Sequence, residues 1–122
     1  MQGTFVGRDR FWRSLDTLVA THRMVIDRPR DSPHPCHPVS SYPLDYGYLD
    51  GTRSPDGDGI DVWIGSLPGR EVMGVVITVD LVKHDSEIKL LLACTVEEMD
   101  RILPLHNVGA QSAVLITRHE RV

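Results

Sequence analysis

Five prolines, at positions 29, 33, 35, 38 and 43, fall within one short stretch of this 122-residue chain. Each removes a backbone donor and holds φ near one value, so neither a helix nor a central strand tolerates that density. Residues 28–43 are therefore loop, ordered by packing or by ligands. The loop divides the chain into a short N-terminal part and a longer part rich in β-branched residues.

Before the loop, residues 9–21 read as a helix. Phe11, Leu15, Leu18 and Val19 recur along one face, and Asp9 is placed to cap the first turn. Residues 23–27 form a short strand. Beyond the loop, Tyr42, Tyr46 and Tyr48 surround Pro43 and Gly47, and residues 51–59 are turn-rich. Residues 60–64 alternate as a strand, with Ile60, Val62 and Ile64 on one side and Asp61 and Trp63 on the other. Residues 71–82 read as a long strand in which Gly74 suits a bulge, and residues 88–94 as another. Thr95 and Glu98 have capping-box spacing at the start of a helix that Pro104 ends or kinks. Residues 113–117 are a last strand. These elements predict a mainly β chain with flanking helices: a small five-stranded Greek-key barrel with one or two helices packed outside it.

The length suits one domain spanning residues 1–122, with a helical segment at 1–22, a barrel at 23–94 and a terminal helix and strand at 95–122. A net charge of −4, from 17 acidic and 13 basic side chains, disfavours a duplex nucleic-acid partner. An aromatic content of 6% disfavours single-strand binding as well. The longest apolar run, residues 88–94, is broken by Lys89 and is too short to cross a bilayer. Arg8, Arg10 and Arg13 precede no apolar segment of secretory type. Cys36 and Cys94 are too few for a disulfide framework. A cytoplasmic location is expected, and a homo-oligomer is compatible with the sequence.

The chemistry concentrates in Asp56-Gly57-Asp58-Gly59-Ile60-Asp61. Three carboxylates so close repel one another, and a hard divalent cation would resolve that repulsion. Glycines at 57 and 59 permit the tight turns that would aim the acids inward. On these residues alone, a solvated hairpin turn is an equally good reading. A calcium loop of the EF type is excluded, because Ile60 and Leu67 would occupy ligating positions. His34, Cys36 and His37 are spaced too tightly for a usual structural zinc site.

Tyr42-Pro43-Leu44-Asp45-Tyr46-Gly47-Tyr48, followed by Asp56-Gly57-Asp58-Gly59-Ile60-Asp61-Val62, resembles the paired motifs of the family I soluble inorganic pyrophosphatases. Ile26-Asp27-Arg28-Pro29 and His34-Pro35 are similar to a shortened subgroup of that family. The resemblance covers roughly residues 23–94. It implies an OB-like barrel and Mg²⁺-dependent hydrolysis of inorganic diphosphate to two phosphates, with Mn²⁺ as a second candidate metal. It also implies that Asp56 and Asp61 hold a metal pair, with Asp58 accepting the proton of the attacking water. Glu87 fits a further metal ligand on the next hairpin, and Asp85 stands in for another family aspartate. Tyr42, Tyr46 and Lys89 are implied to bind substrate oxygens.

Several of that family's phosphate ligands are absent. An expected arginine is replaced by His34, whose imidazolium is expected to supply part of the missing charge. An early acid is missing near Val25, and a Tyr-Lys pair has no counterpart in residues 101–107. Arg28, Arg30 and Arg53 are candidate replacements, since a guanidinium grips phosphate through two parallel bonds. Two alternatives therefore stand beside diphosphate hydrolysis: a phosphohydrolase acting on another diphosphate-containing substrate, and a non-catalytic metal- or phosphate-binding module.

Overall fold

The computed structural model describes residues 6–35 and 41–119. Helix α1 (Arg8–Thr21) precedes strands β1 (Met24–Arg28), β2 (Asp45–Leu49), β3 (Ile60–Ile64), β4 (Val72–Asp80) and β5 (Asp85–Leu92). Helix α2 (Val96–Ile102), a 3-10 turn (Leu103–His106) and β6 (Gln111–Thr117) follow. The strands form one sheet in the order β1-β2-β3-β5-β4-β6, antiparallel except for the parallel pair β3 and β5.

Two expectations are corrected here. The sheet is open rather than a closed barrel: β1 and β6 lie at opposite ends of the pairing order and do not meet. Among the described residues it has six strands, the additional one being β2, in which Gly47 stands between two tyrosines. Gly47 is required by close approach. A Cβ there would lie 1.8 Å from the carbonyl oxygen of Val25 on the neighbouring strand. Gly47 thus marks the contact between β1 and β2. The expected bulge at Gly74 is present as a register shift between Val72 and Gly74.

The sheet is covered on both faces. Val62, Val75, Leu90 and Leu92 pack with Trp12, Leu15 and Val19 of α1. Trp63, Val76, Leu91 and Cys94 pack with Met99 and Ile102 of α2. Adjacent strand residues face opposite sides, so the unbroken run Leu90-Leu91-Leu92 serves both cores and is fully buried. Trp12, rather than Phe11, lies on the inner face of α1, and Phe11 is 42% exposed. Gly7, not Asp9, occupies the N-cap, with φ at 79° and no side-chain cap. Asp16 and Arg118 tie α1 to the end of β6 at 2.9 Å.

The capping box of α2 is as expected. Thr95 accepts from the Glu98 amide at 3.1 Å, and the Glu98 carboxylate accepts from the amides of Thr95 at 2.9 Å and Ser66 at 3.1 Å. Burial alone would raise the Glu98 carboxyl, but the hydrogen bonds from Thr95 and Ser66 outweigh it and hold the group below its ordinary 4.5. A depressed folded-state pKa stabilises the fold above the unfolded value and ceases to do so as pH falls through the folded one. Glu98→Ala is therefore expected to cost about 1–3 kcal/mol at neutral pH. The gap from wild type should narrow in acid below that ordinary value, as followed by denaturant melts at several pH values. An equal gap at pH 7 and in acid would show that the carboxylate charge contributes nothing.

Candidate active site

On the α2 face Trp63 and Leu91 pack with Met99 and Ile102, and two residues away along the same strands stand Asp61 and Lys89. Sheet register explains how they meet. Asp61 of β3 is paired with Lys89 of the parallel strand β5, and with Tyr48 of β2. Two residues along β3, Trp63 is paired with Tyr46. Tyr46, Asp61, Trp63, Glu87 and Lys89 therefore share one face, although the sequence spreads them over three strands.

Lys89 organises this face. Its side chain is 9% exposed, and its Nζ lies 2.7 Å from Asp61 Oδ2, 3.8 Å from Glu87 Oε1 and 3.4 Å from the Tyr46 hydroxyl. A cation so far removed from water needs this partner set. Burial raises the Glu87 carboxyl above its usual range. Lys89 opposes that rise, while the charges of Asp56, Asp61 and Asp85 reinforce it. Those three aspartates are thus close enough to Glu87 for their charges to be felt. Burial also pushes the Tyr46 phenol far up, helped by the charge of Asp61 and by a hydrogen bond to it. Tyr46 consequently remains a protonated donor throughout the neutral range.

The aspartate loop enters this face from β3. Gly57 has φ at 89°, a left-handed turn conformation with open space around it. Ser54 binds the loop together: its one hydroxyl proton lies between Asp56 Oδ1 at 2.5 Å and the Asp58 carbonyl oxygen at 2.9 Å, and its amide donates to that carbonyl at 2.8 Å. The Asp58 amide also donates to Asp56, at 3.1 Å. The Ser54 hydroxyl and the Asp58 amide hold the Asp56 carboxyl below its ordinary value, against a small opposing effect of burial. Asp56 and Asp58 are exposed, whereas Asp61 is half-buried. Asp85 begins β5, opposite Asp80.

As donors, these acids fit a hard divalent cation in kind, being carboxylates with excess negative charge around Glu87. They are not gathered into a preformed cage. Among the described residues, no three His, Cys, Asp or Glu side chains stand close enough to hold a metal ion. The Lys89 ammonium sits on Asp61 at 2.7 Å.

The remaining substrate-site candidates lie to one side. His34 stacks on Tyr42 at 5.5 Å between ring centres, and Tyr42 on Tyr46 at 5.7 Å. Arg28 falls opposite Tyr46 in the sheet register, Arg30 faces Asp31 at 3.9 Å, and Arg53 is exposed. Cys36 and His37 lie outside the described residues. Cys94 is fully buried, which pushes its thiol up to about 12.

Sequence reasoning missed the buried pair Trp63 and His106. Trp63 Nε1 donates to His106 Nε2 at 3.1 Å. An indole N–H only donates, so that imidazole nitrogen is an acceptor and the ring proton resides on Nδ1. Burial, followed by the charge of Lys89, lowers His106 to about 4, with Asp61 pulling the other way. The alternation that placed Trp63 on the same side as Asp61 was the available clue.

No family model matches the sequence, and no curated protein matches it either. The fold is that of bacterial inorganic pyrophosphatases. An inorganic pyrophosphatase of Helicobacter pylori aligns over 77% of this chain and 81% of its own, with a TM-score of 0.56 and 14% identity. An inorganic phosphatase of Anaplasma phagocytophilum aligns over the same shares, at 0.54 and 16%. An inorganic pyrophosphatase of Neisseria gonorrhoeae covers 80% of this chain and 75% of its own, at 0.50 and 16%. Among the described residues, no helix is long and apolar enough to cross a membrane.

Proposed function

We propose that this chain hydrolyses a phosphoanhydride, with inorganic diphosphate as the first substrate to test. The observation that carries the reading is the acidic face on which Asp61 and Glu87 share Lys89, next to the Tyr46 hydroxyl. That face belongs to a fold shared with proteins described as inorganic pyrophosphatases.

Asp56, Asp61, Glu87 and Asp85 are the carboxylates that Mg²⁺ or Mn²⁺ would draw together, displacing the Lys89 ammonium from Asp61. A bound divalent cation supplies charge neutralisation at the phosphoryl oxygens. Lys89 and the protonated Tyr46 donate to substrate oxygens, each exchanging a carboxylate partner for a phosphate one. Asp58, exposed on the loop, accepts the proton of the attacking water. Arg28 is the arginine that the register brings beside Tyr46, and it takes part of the role of the absent family arginine.

Phosphate release from diphosphate with Mg²⁺, with Mn²⁺ and with a chelator tests this reading. Metal-dependent release is expected, and no release under any metal would overturn it. Lys89→Ala separates the two roles of that residue. Diphosphate affinity should fall about tenfold or more with the loss of a charged hydrogen bond, whereas cation affinity should hold or rise once the competing ammonium is removed. A parallel fall in both affinities would make Lys89 a structural support only.

A further inference from the structure

Beside the acidic face lies a cavity of about 440 Å³, lined among the described residues by His34, Tyr42, Tyr46, Trp63, Leu105 and His106. Its size is that of a small-molecule site. Four contacts build an aromatic ladder along it. His34–Tyr42 and Tyr42–Tyr46 are nearly parallel at 16° and 25°, Tyr46–Trp63 is tilted at 4.5 Å, and Trp63–His106 meets edge-on at 6.0 Å. Leu105 and Val108 add apolar surface and are 47% and 64% exposed. Inorganic diphosphate has no apolar surface to place there.

Tyr46 joins the two compartments. Its ring lines the cavity, while its hydroxyl lies 3.4 Å from Lys89 Nζ, which in turn lies 2.7 Å from Asp61. A ligand with a flat ring at one end and phosphates at the other would span this junction. Aromatic walls stack any planar base, and His106 in the same wall accepts from Trp63 at Nε2 and carries its proton on Nδ1.

We propose that the cavity takes a planar aromatic ring carried on the diphosphate, so that the substrate class is a diphosphate monoester of a ring-bearing alcohol, such as a nucleoside diphosphate. This deepens the proposed function and rests on it. In the reaction, water adds at the terminal phosphorus and the bond from that phosphorus to the bridging oxygen breaks. The water proton passes to Asp58, and the products are the monophosphate ester and inorganic phosphate.

Calorimetry on the full chain with Mg²⁺ tests this with three probes: the α,β-methylene analogue of adenosine diphosphate, the methyl ester of methylene diphosphonate, and adenosine. The ring-bearing analogue should bind about 5- to 150-fold more tightly than the methyl ester, the range for one base stacked on an aromatic side chain. Leu105→Asn, at a half-exposed position of the cavity wall, should reduce that ratio. Equal affinities for analogue and methyl ester, or a ratio unmoved by Leu105→Asn, would overturn the ring site while leaving diphosphate binding in place. Adenosine binding as tightly as the full analogue would disconnect the cavity from the acidic face and overturn the proposal. Failure of both phosphorus-containing probes to bind would overturn the phosphoanhydride reading as well.

Discussion

Asp58→Asn is expected to lower metal-dependent phosphate release from diphosphate by about 10²–10⁴-fold, the usual contribution of a positioned general base. Cation binding should survive. The loop engages the main chain of Asp58, since its amide donates to Asp56 and its carbonyl accepts from Ser54. Ser54 and Asp56 supply the side-chain contacts of the turn, so an amide of the same shape at position 58 leaves the turn intact. Rate assays beside Mn²⁺ titrations of the same variant give the comparison. Hydrolysis near the wild-type rate would remove Asp58 from the chemistry, and loss of metal affinity would make it a ligand.

Gly47→Ala should be the most damaging single-atom addition to the fold. The new Cβ would stand 1.8 Å from the Val25 carbonyl oxygen, 2.8 Å from its carbon and 2.9 Å from Ile26 Cα. All three are backbone atoms, so no side-chain rotation relieves the clash, and β1 must leave β2. A cost of at least about 3 kcal/mol is expected, at the upper end for overpacking. Gly57→Ala provides the contrast. Nothing lies within 4 Å of a Cβ there, but φ is 89°, so only backbone strain of about 1–2 kcal/mol applies. Chemical denaturation of both variants would test the register: a smaller loss at Gly47 than at Gly57 would contradict the close approach of β1 to β2. Because β2 carries Tyr46 into the site, Gly47→Ala should also lower catalysis below what its folded fraction alone explains.

The acidic loop, the alternation of β3 and the capping box of α2 were legible in the sequence because each depends on neighbours within a few residues. Side-chain period, turn glycines and Thr95-to-Glu98 spacing are local quantities, and the structure has Ile60, Val62 and Ile64 on the α1 side as alternation requires. The tyrosine segment was harder to read. Pro43 and Gly47 have the composition of a turn, and only the approach of the Val25 carbonyl explains a glycine inside β2. The inner face of α1 was misread for a similar reason, since Phe11 and Trp12 are both apolar and α1 packing selects between them.

What tertiary structure alone decided is pairing. Alternation states which side of a strand is apolar but not which strand lies beside it, so an open six-stranded order was indistinguishable from a closed barrel. The parallel register of β3 and β5 brings Lys89 to Asp61 across 28 residues of chain. Packing of the 3-10 turn brings His106 to Trp63 across 43. Local sequence determined which side chains are available for chemistry. Their convergence into an acidic face beside an aromatic cavity depends on long-range register and burial, which no short stretch of sequence encodes.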